Sequence, residues 1–393
     1  MKKLKIIVGG YIGLYPTGGA TLDYIQYPLG LKLLGHDVYY IEDTMQYPIY
    51  QEKGKAWNDA SGCVAFLKET MDHFGLAGKW AYRDIASGQC FGLSLKQVQD
   101  ICSTADIFIN ISCSTCMRDE YFKIPNRILI DSDPMFTQVT YFDELNGNTA
   151  TSVKKLIETH NYLFSFGENI GKDDCLVPTF NQHWISTRQP VCLQLWNRSV
   201  TGTEKSFTSI MNWSGRRKML YNNAEWGQKD VEFEKFVSVP KQLPEINFEV
   251  VINPPLHPDS NFNLENITAN KWQVIHPKDS VANHRAYVQF IKNSFAEFSV
   301  AKETYVKSRS GWFSCRSACY LAAGNPVVAQ ETGWSKYIPA GNGLFAFDDI
   351  PSAIEAIRAI AGDERKHAKS AVEIANQYFD SDIVLNEMIN KLN

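Results

Sequence analysis

Residues 4–41 read LKIIVGGYIGLYPTGGATLDYIQYPLGLKLLGHDVYYI, and this stretch decides the architecture. Leu4–Val8 is a compact apolar run closed by Gly9 and Gly10, the pattern of a buried strand. A loop with Gly13, Pro16, Gly18 and Gly19 follows. Over 20–35, Leu22, Ile25, Leu29, Leu33 and Leu34 recur at helical spacing. Gly35 is placed to end that helix, and Asp37–Ile41 is the next strand. A strand, a helix and a second strand in one direction make a parallel crossover unit.

Working outward, the same alternation continues. Strands are expected at 107–111, 127–130 and 162–166, with helices near 58–74, 94–104 and 151–159. A second series brings strands at 208–213, 248–252, 273–275, 297–300 and 326–329. Its helices fall near 229–236, 283–293, 312–323 and 351–361, and two last helices near 364–378 and 381–392. The reading is an α/β chain with two doubly wound Rossmann-like domains facing a central cleft. The expected boundaries are 1–195, a linker at 196–206, a second domain at 207–375, and a terminal helix at 376–393 that caps the second domain or crosses back to the first.

Composition bounds the rest. The 393 residues are 44% hydrophobic and 21% charged, enough to build large cores. A net charge of −4 argues against a surface made wholly for nucleic acid, while leaving room for a local groove with Arg216, Arg217 and Lys218. Nine cysteines form no framework, and Cys113 and Cys116 lack the second pair a zinc site needs. No stretch is apolar and long enough to span a bilayer, so a cytoplasmic enzyme is expected.

Ligands of an open parallel sheet bind beyond the carboxyl ends of its strands, so the loops after strands carry the candidates. The first loop lacks the close third glycine of a dinucleotide fingerprint. Asp23 in the next helix reads either as a helix-start charge or as a functional acid. In 306–316, Arg309, Ser310, Gly311, Ser314 and Arg316 precede an apolar helix; Ser308 or Ser310 can cap it, and its free N–H groups suit a diphosphate. Glu331, Thr332 and Gly333 follow a buried strand, where a carboxylate can hold sugar or ribose hydroxyls. Asp131 and Asp133 follow another strand, reading as paired cleft carboxylates or as a turn before Pro134. His257, after Asn253-Pro-Pro, faces a nucleotide or serves structure alone. No metal ligands are assigned.

These residues resemble the GT-B glycosyltransferases. Pro16-Thr-Gly-Gly-Ala20 and Gly35-His-Asp-Val38 are similar to that family's opening. Leu321-Ala-Ala-Gly324-Asn-Pro326-Val-Val328, Glu331-Thr-Gly333 and Ile338-Pro-Ala-Gly341-Asn-Gly343-Leu344 are similar to its donor domain. The resemblance implies a nucleotide-diphosphate sugar, with UDP as the prior, as co-substrate and no tightly bound cofactor. It assigns the diphosphate to Ser310, Gly311 and Ser314, and the sugar to Glu331, Thr332 and Gly333. It places the acceptor near Tyr15, Gly18 and Gly19, with Asp23 as general base of an inverting transfer. The paired glutamates of many retaining members are not found from Glu331, since Pro339 stands eight residues on. The acceptor is left open between a glycan, a small molecule and a hydroxymethylated DNA base. An epimerase of the same fold and a non-catalytic sugar-nucleotide sensor are the alternatives.

Overall fold

The structure, a computed structural model, describes residues 2–49, 56–148, 152–197, 206–215, 218–253 and 261–392. The first half comprises β1 (Lys5–Gly9), α1 (Gly18–Leu33), β2 (Asp37–Glu42), α2 (Ser61–His73), β3 (Trp80–Arg83) and β4 (Cys90–Gly92). It continues with α3 (Leu95–Cys102), β5 (Ile107–Ile111), β6 (Asn126–Asp131), α4 (Phe136–Leu145), α5 (Val153–Thr159), β7 (Tyr162–Ser165) and β8 (Trp184–Ser186). Its eight strands form one sheet in the order β4-β3-β2-β1-β5-β6-β7-β8, parallel except at the β3–β4 edge.

The second half comprises β9 (Ser206–Asn212), a hairpin of β10 (Met219–Tyr221) and β11 (Ala224–Trp226), α6 (Lys229–Phe236), β12 (Asn247–Asn253), α7 (Leu264–Ala269) and β13 (Gln273–Ile275). Then come α8 (Pro277–Ser280), α9 (His284–Asn293), β14 (Ala296–Ser299), α10 (Glu303–Ser308), α11 (Cys315–Ala322), β15 (Val327–Gln330) and β16 (Leu344–Phe347). Helices α12 (Ile350–Gly362), α13 (Glu364–Tyr378) and α14 (Ser381–Asn390) close the chain. Six strands form a parallel sheet in the order β13-β12-β9-β14-β15-β16.

Local chemistry explains the elements. Thr17 caps α1 by accepting the Ala20 N–H, and Gly35 leaves it with φ +89°, the left-handed exit a glycine allows. Pro28 sits inside α1, where it removes one backbone donor. The short strands β3, β4, β8, β10, β11 and β16, and helices α4, α7, α8 and α10, go beyond the sequence expectation. The helix expected at 312–323 starts at Cys315, so neither Ser308 nor Ser310 caps it: Ser314 is the N-cap. The linker expected at 196–206 falls largely on 198–205, outside the described residues.

One apolar core runs through both halves, joining Leu22 and Ile25 of α1 to Tyr287 and Ile291 of α9, Cys319 of α11, and Leu385 and Met388 of α14. Helix α14 lies against α1 so closely that a β-carbon on Gly30 would stand 2.6 Å from the Leu385 side chain. A smaller cluster packs Trp226 of β11 onto Met135, Val139 and Val177 of the first half. No helix among the described residues is long and apolar enough to cross a membrane.

The tightest contact between the halves is at the start of α1. A β-carbon on Gly18 would lie 2.5 Å from the Asn283 carbonyl oxygen and 2.6 Å from Cβ of Tyr287. Gly18→Ala is therefore expected to cost about 1–3 kcal/mol by overpacking, read by urea denaturation, with unchanged far-ultraviolet circular dichroism in buffer. An unchanged urea midpoint would show that the two halves separate freely.

Candidate active site

Strand order reverses between β1 and β5 in the first sheet and between β9 and β14 in the second. Ligand crevices open at such switch points. Here the segments that follow these four strands converge: α1 after β1, Ser112 after β5, Lys229 after β9 and its hairpin, and Lys302 after β14.

The first wall is held by a buried carboxylate. Glu42, at the end of β2, accepts the backbone N–H groups of Gly13 at 2.8 Å and Leu14 at 2.6 Å. Tyr40 donates its hydroxyl to Glu42 and accepts the Ile12 N–H at 3.0 Å. Three consecutive loop donors are thus satisfied by two side chains of one strand. Burial pushes the Glu42 carboxyl up to about 7 against those hydrogen bonds. The loop so fixed carries Tyr11 and Tyr15, whose rings meet edge-on at 5.5 Å, and Tyr11 meets Tyr24 at 5.8 Å.

Asp23 follows on α1. It keeps part of its surface open, and among the described residues no group hydrogen-bonds its carboxylate. Burial pushes it up to about 7; Arg316 pulls the other way and Asp133 adds to the rise. Beside it, Tyr24 is buried, and burial pushes its hydroxyl well above the ordinary tyrosine range while Ser112 pulls the other way. Ser112 in turn meets Ser132 at 2.7 Å. Ser112 and Cys113 both hold φ +56°, Met135 +77° and Arg309 +48°, all unusual for residues with a β-carbon. Such strain gathers at functional loops.

The second wall is cationic. Lys229 opens α6, and among the described residues no partner takes its ammonium. Burial, then Arg316 and Lys302, push its pKa well below the ordinary lysine range, against the pull of Glu297. Its neighbours Gln228 and Asp230 each bury a polar atom without a partner, as does Glu297. Helix α11 starts nearby at Ser314, whose side chain makes no capping bond. Two helix starts that lack side-chain caps, with a lysine between arginine and lysine, present unfilled N–H groups and positive charge to the cleft. Sequence reading missed Lys229. A signal existed: a lysine in a helix's first turn opposes the macrodipole, so it needs another reason to be there.

The structure corrects several expected roles. Asp131 does not face the cleft: it is fully buried and accepts from Thr137 at 2.6 Å, Gln138 at 2.9 Å and Ser165 at 2.8 Å. Asp133 is engaged across the cleft by Lys302 at 2.5 Å and by the Tyr305 hydroxyl. Gly18 and Gly19 lie against Asn283 and Tyr287 of the second domain rather than open to an acceptor. Arg316 donates to Glu297, to the Ile210 carbonyl at 2.6 Å and to Ser299 at 2.8 Å, so much of its hydrogen bonding is internal. Arg309 reaches Asp174 at 3.1 Å on the surface.

Ser310 and Gly311 form a backbone seam with the first domain. Asn169 N–H donates to the Ser310 carbonyl at 3.0 Å, and a β-carbon on Gly311 would stand 2.6 Å from the Asn169 nitrogen. Thr332 donates its hydroxyl to the Trp312 carbonyl at 2.6 Å, and Gly333 takes φ +98° while its N–H donates to Glu331. Of the donor set, Ser314 is buried with no capping bond at the start of α11, and Glu331 receives the Gly333 N–H on one oxygen. His257, Arg216 and Arg217 lie outside the described residues.

No protein-family profile and no characterised protein matches by sequence. Solved structures do match by shape. An alpha-glucosyltransferase in complex with UDP and a 13-mer DNA aligns with TM-score 0.59 at 11% identity, over 99% of both chains. Anabaena HepE with UDP-glucose aligns with TM-score 0.58 at 12% identity, over 99% of both chains. Sucrose-phosphate synthase from Thermosynechococcus elongatus gives 0.54 at 11%, over 100% of this chain and 99% of that one. The chain has the GT-B fold. In GT-B terms the first sheet forms one wall of the cleft and the second sheet the other, and full-length coverage means that neither wall is missing.

Asp23 makes a measurable demand on this GT-B cleft. Its folded pKa of about 7 stands above the ordinary aspartate value of 3.8, so the folded state holds the proton more tightly. Stability is then lost as pH rises through that window and is level above it. Asp23→Asn removes the ionisable group. The variant should melt above the wild type at pH ~8 and close to it at pH ~4, as differential scanning calorimetry would show. An equal offset at both pH values would mean that Asp23 titrates normally.

Proposed function

We propose that this protein is a glycosyltransferase that moves a sugar from a nucleotide-diphosphate sugar, UDP-linked by analogy with its fold neighbours, to an acceptor hydroxyl. The observation that carries the reading is Asp23, a partly open carboxylate with a pKa near 7 in the field of Arg316, which also bears on Lys229 at the uncapped start of α6. A base poised near the working pH faces a cradle for an anion. The fold neighbours crystallised with UDP or UDP-glucose support the donor class.

The chemistry follows from that placement. The diphosphate lies against Lys229 and the α11 start, where N–H groups and cations take up the negative charge that grows as the glycosidic bond breaks. The free oxygen of Glu331 accepts a sugar hydroxyl. The sugar passes through an oxocarbenium-like state, as in glycoside hydrolysis. Asp23 takes the proton of the attacking hydroxyl, which implies inversion at the anomeric carbon. Ser112 and Ser132, joined at 2.7 Å, hold the acceptor side of the wall. The apolar core shared by both halves keeps the walls close, so exclusion of water rests on a docked interface as well as on closure. None of the nine cysteines forms a disulfide, which suits a reducing, cytoplasmic compartment.

The test begins with thermal melting against UDP, GDP, ADP and their sugars. Stabilisation by one nucleotide diphosphate and its sugars fixes the donor. No shift with any of them removes the reading. Donor consumed without an acceptor, giving an isomerised sugar, would favour the epimerase alternative, and binding without turnover a sensor. Lys229→Ala should weaken nucleotide diphosphate binding by roughly tenfold or more. Asp23→Asn should keep that binding and lose about 100-fold or more of turnover. Full activity in Asp23→Asn would take the base role from this residue.

A further inference from the structure

The turn that leads into α11 is held from the other domain. After β7 the first domain runs on and lies along the loop that joins α10 to α11. Asn169 sits in the middle of this seam and is fully buried. Its backbone N–H donates to the Ser310 carbonyl at 3.0 Å. Its side-chain N–H groups donate to the Arg309 carbonyl at 2.8 Å and to Asp174 at 3.1 Å. Its side-chain oxygen accepts the Tyr337 hydroxyl at 2.7 Å and the Lys336 ammonium at 3.4 Å. Every one of these partners except Asp174 belongs to the second domain.

The position asks for an amide. The Arg309 carbonyl needs a donor, while the Tyr337 hydroxyl and the Lys336 ammonium need an acceptor. A carboxylate could meet only the second need, and it would stand beside Asp174. What the amide holds is a strained turn. Arg309 ends α10 in the left-handed region at φ +48°, which a residue with a β-carbon adopts at a cost. Gly311 follows at φ +77°, its N–H on the Thr332 carbonyl at 2.7 Å, and a β-carbon there would meet the Asn169 nitrogen at 2.6 Å. One residue on, the Trp312 indole N–H reaches the Ser132 carbonyl of the first domain at 3.1 Å. Ser314, the N-cap of α11, comes two residues later. The path of residues 309–313 is therefore set by groups of the first domain. Adhesion does not require this seam, because the shared apolar core already joins the halves at α1, α9 and α14. A buried polar cluster whose members are satisfied adds rigidity and a single geometry.

We propose that Asn169 is a positioning residue for the donor. It fixes the 309–313 turn and so aims the N–H groups at the start of α11 toward the diphosphate, without touching the nucleotide. Affinity for a nucleotide diphosphate then depends on an amide of the first domain, although the second domain holds the anion. This rests on the transferase reading for the place of the diphosphate.

The experiment titrates full-length wild type and variants with UDP, GDP and ADP by calorimetry, beside urea denaturation of each. Asn169→Ala is expected to bind the nucleotide about tenfold more weakly. Tyr337→Phe keeps the ring and removes one donor to the amide, and should lose about threefold. The double variant should bind no more weakly than Asn169→Ala, because the hydroxyl then has no amide to act through. Gly30→Ala is the control. It crowds Leu385 of α14 in the shared core, outside the seam, and should lower the urea midpoint with nucleotide affinity unchanged. A merely structural Asn169 would behave as Gly30 does, with a lower midpoint and wild-type affinity, and that result overturns the proposal. So would losses that add in the double variant, or an equal loss of affinity in Gly30→Ala. If Asn169→Ala does not fold, Tyr337→Phe decides alone, and wild-type affinity in it overturns the proposal. Binding of none of the three nucleotides by the wild type removes the transferase reading and the positioning role with it, whereas binding that ignores Asn169→Ala removes the positioning role alone.

Discussion

The first turn of α1 touches the second domain at a position with room for a hydrogen atom and nothing larger, because Gly18 lies against the Asn283 carbonyl and Cβ of Tyr287. Gly19 faces the Tyr287 ring just beyond. This closeness brings Asp23, little more than one helical turn further on, into the field of Arg316. Without it the carboxylate and the cationic helix starts would belong to two separate surfaces. Behind the contact, Leu22, Ile25, Ile291, Cys319 and Leu385 share one apolar core, so the cleft has a hydrophobic hinge rather than a solvated one. The proposed chemistry depends on that packing.

Around this hinge the molecule tolerates several arrangements that stability alone would remove. Among the described residues, Lys229 stands in a helix's first turn without a hydrogen-bonded counter-ion, and Glu297, Gln228 and Asp230 bury polar atoms that nothing satisfies. Ser112 and Cys113 adopt left-handed backbone in sequence. Each costs free energy, and all lie in or after the strands at the two switch points. Costs concentrated at one place, beside a well-packed core, mark where function has shaped the chain. Glu42 shows the opposite economy. Its buried carboxylate is surrounded by donors, and it fixes the loop whose tyrosines border Asp23.

Much of the fold was legible because it rests on local pattern. The apolar run Leu4–Val8, the helical spacing from Leu22 to Leu34 and the exit at Gly35 are each dictated by neighbours in sequence, and the structure follows them. Short strands were not legible: β4, β8 and β16 are held by sheet partners far along the chain, and three or four residues give no period to read. The site was read unevenly for the same reason. The helix after residue 310 was recognisable, but its cap was read at Ser308 or Ser310 and stands at Ser314. Asp131 looks like a cleft carboxylate in sequence, yet Thr137, Gln138 and Ser165 enclose it, and Ser165 comes from another strand.

The sequence by itself determined two series of alternating strands and helices, and hence two parallel sheets with ligand loops at their carboxyl ends, because periodicity and turn residues act over short range. It also placed Asp23 in the first turns of a helix behind a glycine loop. Only the tertiary structure decided which charges remain available. Arg316 is spent largely on Glu297, Asp133 on Lys302, and Arg309 on Asp174, while Lys229 is left unpaired among the described residues. Whether a charged side chain is free depends on residues a hundred or more positions away as often as on its neighbours, and burial and pairing of that kind are settled only when the two sheets meet.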